Sequence, residues 1–307
     1  MFGAMKAGRL TAVGAAAGSV LLLALAGAHA VRAQDEVPPA GQLAPANFDT
    51  KKLDIYYADP KSPNIAGFWR PAVGTPRLAW SFTDGTPLPP RNGPGSKGLP
   101  GQDGFPYTPA WQAAYTARRI AERDGHPFGD PAAMCWPQGM YKAYVGYDSP
   151  IEITETPGRV QMVHERLTEV RRIYTDGRVH PTGDALTHTA EGDSIGHWEG
   201  DTLVVDTIGL RKEFTLSPAP GLIHSDAMHT TERFTRVDAN TLKIQITVED
   251  PKALTRPVVS TLTYKLWLND TMTEDFCAEN NRNRPDANLV VQVDLSPRKQ
   301  YGYDLPN

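Results

Sequence analysis

The chain has 307 residues, 31 Lys and Arg against 35 Asp and Glu, and a formal net charge of −4. That balance, with no run of basic residues, excludes the electrostatic footprint of a nucleic-acid-binding protein. About 270 residues remain after the apolar N-terminus, enough for one large domain with its own core.

The first 33 residues read as a secretory signal peptide. Lys6 and Arg9 precede an apolar stretch, densest in "VLLLALAGAHA" (Val20–Ala30), and the small-x-small sites "AHA" and "VRA" follow, for cleavage after Ala30 or Ala33. A membrane anchor is the alternative, but Gly and Ala dilute the run. Removing Lys6, Arg9 and Arg32, with no acid among residues 1–33, takes the charge from −4 to −7. The mature form is therefore expected in the periplasm or outside the cell, with no membrane attachment and no nucleic-acid partner.

Residues 34–130 read as an extension. "GFWRP" (Gly67–Pro71) opens its ordered part, and Asp84–Pro109, dense in Pro and Gly, is a long irregular loop and a candidate lid. A helix is predicted at about 109–124. Thr108 caps it, Pro109 stands in its first turn, Gly125 follows its end, and Trp111 and Tyr115 share a face.

Residues 131–307 read as a barrel. After Pro150, short β-rich runs alternate with turn signals at Pro157-Gly158, Asp176-Gly177, Gly200-Asp201 and Asp238–Asn240. About eight strands joined by hairpins predict a mainly β fold, an antiparallel up-and-down barrel of calycin or lipocalin type. Cys135 and Cys277 form an even pair that reads first as a disulfide. It would contribute ~4–5 kcal/mol in the chain-entropy model.

Strand alternation selects inward residues. In "TLKIQITV", Leu242, Ile244, Ile246 and Val248 share the apolar face. The same reasoning puts His164, Arg172, Tyr174, Glu232 and Tyr264 on inward faces, where a cavity for one small ligand would perturb their pKa values. The alternative is an internal Arg172–Glu232 salt bridge. His229 and Glu232, three apart on a strand, face opposite ways. His224 lies in a loop before that strand. His180 beside Pro181 and His197 beside Trp198 read as rim residues or as catalytic bases. A metal site from His224, His229 and a carboxylate lacks any HExxH-like spacing. No GxSxG elbow, phosphate loop, dinucleotide fingerprint or CxxC occurs.

The segments "TPGRV", "RRIYTDGRVHP", "SIGHWEGDTLVVDTIG", "HSDAMHTTERF", "DPKALTRP" and "CAEN" together resemble a large family of secreted bacterial proteins. The resemblance spans roughly Cys135 to Asn280. It implies similarity to cofactor-independent lyases that remove a one-carbon unit, as carbon dioxide or formaldehyde, from lignin-derived phenylcoumaran dimers to give stilbenes. No organic cofactor or metal is expected, and the partner is a small aromatic substrate. The resemblance supplies no catalytic residues. The candidates come from the chemistry, which needs an acid, a base and a carboxylate anchor. They are His164, Arg172, Tyr174, His224, His229 and Glu232, with Tyr264, His180, His197 and Trp198 for binding. Two other readings remain open: a non-catalytic barrel that binds a small molecule, and a metal-dependent hydrolase or oxygenase using the histidines.

Overall fold

The computed structural model describes residues 42–43, 45–47, 63–73, 80–88, 104–124, 135–145, 150–216, 222–268, 270–275, 277, 283–285 and 291–293. Residues 1–33, expected to be a signal peptide, and most of the Pro/Gly-rich loop lie outside these residues.

All eight runs read from the sequence are strands: β4 (Ile151–Thr156), β5 (Arg159–His164), β6 (Glu169–Tyr174), β7 (Asp193–Glu199), β8 (Thr202–Ile208), β9 (His229–Asp238), β10 (Thr241–Glu249) and β11 (Val258–Leu268). Each is bordered in the chain by one of the predicted turns or by a longer loop. At Pro157-Gly158, Gly158 takes φ +76°, which a tight hairpin requires and other residues adopt at a cost.

A ninth strand closes the barrel. β2 (Gly67–Pro71) pairs with β4 on one side and β11 on the other, so the circle runs β11-β10-β9-β8-β7-β6-β5-β4-β2 and back to β11. The barrel therefore starts well before residue 131, because the GFWRP segment supplies the stave without which β4 and β11 would both expose an edge. Short strands β1 (Gln42–Leu43) and β3 (Trp80–Phe82) also pair with β11. Two further strands, β12 (Asn283–Pro285) and β13 (Val291–Val293), pair with each other.

Nine staves cannot alternate direction all the way round a closed circle, so one neighbouring pair must be parallel. That pair is β6 and β7, joined only at Ile173↔Ser194 and Tyr174↔Ile195. Every other joint of the barrel is antiparallel. The long connection 175–192, in place of a hairpin, makes the parallel joint possible. The first half of β6 consequently has no strand partner on its β7 side.

Inside, Leu242, Ile244, Ile246 and Val248 of β10 are all fully buried, as their alternation predicts. The lumen is not empty. A second helix, α2 (Met140–Val145), has all six residues buried. Tyr144 packs its ring edge against His164 of β5, bonds Glu232 of β9 and Arg171 of β6, and accepts a hydrogen bond at its carbonyl from Tyr264 of β11. Contacts to four separate staves place α2 within the barrel.

The predicted helix is α1 (Pro109–Arg123). It docks through an aromatic run in which Tyr115 meets Tyr107, Tyr107 meets Phe105, Phe105 meets Trp80, and Trp80 stacks on Tyr141 of α2. Such pairs add about 0.5–1.5 kcal/mol each beyond the area they bury. Cys135 and Cys277 stand at disulfide distance, Cα–Cα 5.3 Å, across 142 residues. Among the described residues, no helix is long and apolar enough to cross a membrane.

Candidate active site

The lumen holds an ion pair, but with a different arginine from the one expected. On β6 the inward residues are Glu169, Arg171 and Ile173, while Arg172 is exposed. The register explains the correction: Met162, fully buried on β5, lies opposite Arg171. Residue 172, and with it Tyr174, therefore points outward.

Arg171 is saturated. It donates to both carboxylate oxygens of Glu232, to Tyr144 Oη at 2.8 Å, to Thr207 Oγ1 at 2.9 Å and to Ser194 Oγ at 3.1 and 3.2 Å. Arg171 and Glu232 are 1% and 0% exposed. Burial and the Glu232 carboxylate hold the Tyr144 phenol well above its usual range. Burial, and then the Arg171 charge, push His164 down to about 3, so its imidazole is neutral. Arg171, Glu232, Tyr144, Ser194 and Thr207 are thus buried and hydrogen-bonded to one another, the condition under which a buried ion pair is tolerated.

A second group lies where the barrel joint splays. Between the unpaired half of β6 and residues 189–193 opens a cleft of about 620 Å³. Arg172 and Tyr174 line it, with Glu169, Glu191, Asp193 and Ser194. Gly192 lets the chain turn into this wall: its φ is +67°, and a Cβ there would stand 2.6 Å from the Ile208 carbonyl oxygen. Arg172 and Tyr174 thus reach a cleft after all, on the outer face.

At the back of the cleft two carboxyl groups meet. Glu169 is 7% exposed and accepts a hydrogen bond from the Gln138 backbone N–H through Oε1. Its Oε2 and both carboxylate oxygens of Glu191 are buried and have no donor among the described residues. Burial raises the pKa of both. The Glu191 charge raises Glu169 further, and Lys142 of α2 opposes this in part. Two acceptors face to face without donors are satisfied by sharing a proton, which keeps one carboxylic acid intact at neutral pH. The side-chain amide of Gln138, fully buried beside Glu169, also has no partner among the described residues.

The remaining histidines lie elsewhere. His180 binds Asp193 through Nδ1 at 2.5 Å and Asp206 through Nε2 at 2.7 Å. His229 binds the other Asp206 oxygen at 2.6 Å and Glu249 at 3.2 Å. The result is a chain, Asp193–His180–Asp206–His229–Glu249, along the outside of β7 to β10. His229 does face away from Glu232. His224 is buried in the loop before β9, bonded at 2.8 Å to the Ser225 carbonyl, and burial pushes its pKa down. His197 is exposed beside Glu199, and Trp198 packs partly buried against the core. Among the described residues no three His, Cys, Asp or Glu converge as a metal-ligand set.

Sequence reasoning missed Arg171, Glu169, Glu191 and α2. Glu169 and Arg171 were legible as a face with Ile173, had Ile173 rather than Val170 been taken as the apolar anchor. Glu191 sits in a loop, where periodicity carries no signal. The chain matches no protein-family model and no curated protein.

Proposed function

We propose that the protein is a periplasmic or secreted carbon–carbon lyase that removes a one-carbon unit from a lignin-derived aromatic dimer, giving a stilbene. The observation that carries this reading is a buried carboxyl pair, Glu169 and Glu191, with three oxygens that meet no donor among the described residues, at the wall of a cleft that also presents Arg172, Tyr174 and Asp193. Its volume falls in the range that accepts a ligand of one to three rings. Two segments that carry the family resemblance, "RRIYTDGRVHP" and "SIGHWEGDTLVVDTIG", border it through Arg172, Tyr174 and Ser194.

Each group has a role suited to its chemistry. Arg172 holds the substrate carboxylate with its planar fork. Asp193, steadied by His180, takes the proton of the para-phenol. The phenolate electrons then expel the benzylic oxygen, which takes a proton from Glu169. The quinone methide so formed loses carbon dioxide. The electron pair of the broken carbon–carbon bond forms the alkene and restores the phenolate, which recovers its proton from Asp193. One proton is consumed overall, and solvent returns it to Glu169. A substrate with a hydroxymethyl group would release formaldehyde by the same electron flow, after loss of the hydroxyl proton.

The test is turnover. The mature protein is incubated with phenylcoumaran and diarylpropane dimers, with and without EDTA. Stilbene absorbance is followed together with carbon dioxide and formaldehyde. The expected result is stilbene formation that survives EDTA and is lost in E169Q and R172A variants that remain folded. No stilbene and no one-carbon product from any dimer would overturn the reading.

A further inference from the structure

The cleft at the β6/β7 joint has a neighbour of about 690 Å³, and the two share Pro137, Leu167, Thr168 and Glu169. The shared wall is a strained turn. Leu167 and Thr168 take φ of 59° and 50°, left-handed values that are strained for a non-glycine residue and that a β-branched residue rarely adopts. The turn is held from the second cleft, where Asp275 accepts from the Leu167 backbone N–H at 2.9 Å and from Arg166 at 3.0 and 3.2 Å. Cys135, also left-handed at φ 60°, and its partner Cys277 lie in the same cleft. Strain of this kind persists only where the surroundings over-determine it, and it gathers at sites that must keep a set shape.

The two clefts differ in chemistry. The first offers a guanidinium, a phenol and carboxylates. The second sets Trp136, Met272, Leu167 and the disulfide sulfurs beside Glu274 and an Asp275 already engaged by Arg166 and the Leu167 N–H, so its apolar part is the indole, the thioether and the sulfurs. An indole face and sulfur atoms are good neighbours for an aromatic ring. Glu169 belongs to both, 7% exposed, and beyond the proton shared with Glu191 its Oε2 meets no donor among the described residues.

We propose that the two clefts are the two halves of one binding site for a bis-aryl acid. The aryl arm bearing the carboxylate and phenol lies against Arg172 and Tyr174. The second ring lies against Trp136 and Met272. The bond joining the arms lies at Glu169. This rests on the lyase reading for the identity of the substrate, and adds where each arm sits and which residues set the specificity. It gives the strained turn a role: moving Leu167 or Thr168 would shift Glu169 away from the junction between the arms.

The experiment reads binding, so it does not depend on turnover. Calorimetric titrations of the mature protein use two single-ring probes, 4-hydroxybenzoate and guaiacol, and a phenylcoumaran carboxylate that joins both arms. The probes are expected to bind together without competing. R172A should weaken 4-hydroxybenzoate at least about tenfold and spare guaiacol. W136L and M272A should do the reverse. The joined acid should bind about 100-fold or more tighter than either probe, and should lose affinity in all three variants. Mutual competition of the probes, failure of both to bind, or unchanged affinity for the joined acid in folded W136L and M272A would each overturn the proposal. If the joined acid binds across both clefts and is not turned over, the lyase reading fails and the two-armed site stands. If it is turned over with an unchanged KM in W136L and M272A, the two-armed site fails alone.

Discussion

Arg171 and Arg172 are adjacent arginines with opposite fates, and the sequence alone does not separate them. Val170, Arg172 and Tyr174 form one alternating set, and Glu169, Arg171 and Ile173 form the other. Each contains one aliphatic residue, so period-two reasoning is balanced. Pairing with buried Met162 decides it. The two residues should therefore respond differently to truncation. R171A would leave Glu232 buried without its partner, a change that costs about 3–5 kcal/mol. R172A removes an exposed group, and its stability should stay within about 0.5 kcal/mol of the parent. Urea unfolding of both variants checks this, and equal loss would refute the placement. Glu169 supplies a second prediction. Its folded pKa is raised above the ordinary 4.5 by burial and by Glu191. The folded protein thus keeps a proton that the unfolded chain releases, and stability falls as pH rises above 4.5 through neutrality. Glutamine cannot ionise, so E169Q should gain thermal stability over the parent at pH 8 relative to pH 5, while losing turnover. A gain that does not grow with pH would show that Glu169 is ionised in the fold.

The strands were legible because their periodicity is strong. The ninth stave and α2 were not, for opposite reasons. GFWRP is five residues long and too short to show a period. α2 is buried all round, so it has no polar face to mark it as helical, and Lys142 in its middle mimics a surface position. The parallel joint was hidden as well, because it follows from the count of staves and not from any single segment. It is the one parallel joint and has only two registered pairs, as few as β2 with β11, where β10 has eight to β11 and nine to β9. The backbone of β6 facing the cleft should exchange its amide hydrogens earliest among the staves, and β10 latest. Hydrogen–deuterium exchange resolved by peptide measures this. The exchange of residues 169–172 should slow when the phenylcoumaran carboxylate binds. Protection of β6 equal to that of β10 in the free protein would mean that the joint does not splay as described.

Across the whole barrel, the outer chain Asp193–His180–Asp206–His229–Glu249 fastens the long crossover to four consecutive staves. The histidines were visible in the sequence as a group, but their convergence on Asp206 depends on cross-strand register, which no local pattern encodes. Asp206 lies between two imidazoles, half-buried, and Arg178, paired with Asp176, adds a weak charge interaction with Asp193 at the far end. The hydrogen bond from His229, together with that from His180, lowers the Asp206 pKa below 3.8 despite partial burial. The Asp206 hydrogen bond, with help from Glu249, raises His229 above 6.5. The signs fix where the chain contributes. A lowered carboxylate adds stability that is present above 3.8 and lost as pH falls through its folded value. A raised imidazole adds stability that is fully present below 6.5 and lost as pH rises through its folded value. Both contributions are complete only between about pH 4 and 6.5, and salt screens them because the groups are partly solvated. D206N removes both at once. The difference in melting temperature between parent and D206N should therefore peak in that mildly acidic window and shrink toward pH 9 and toward pH 2.5. High salt should flatten the peak. A difference that is constant across pH would assign Asp206 a packing role and leave the two histidines without electrostatic coupling through it.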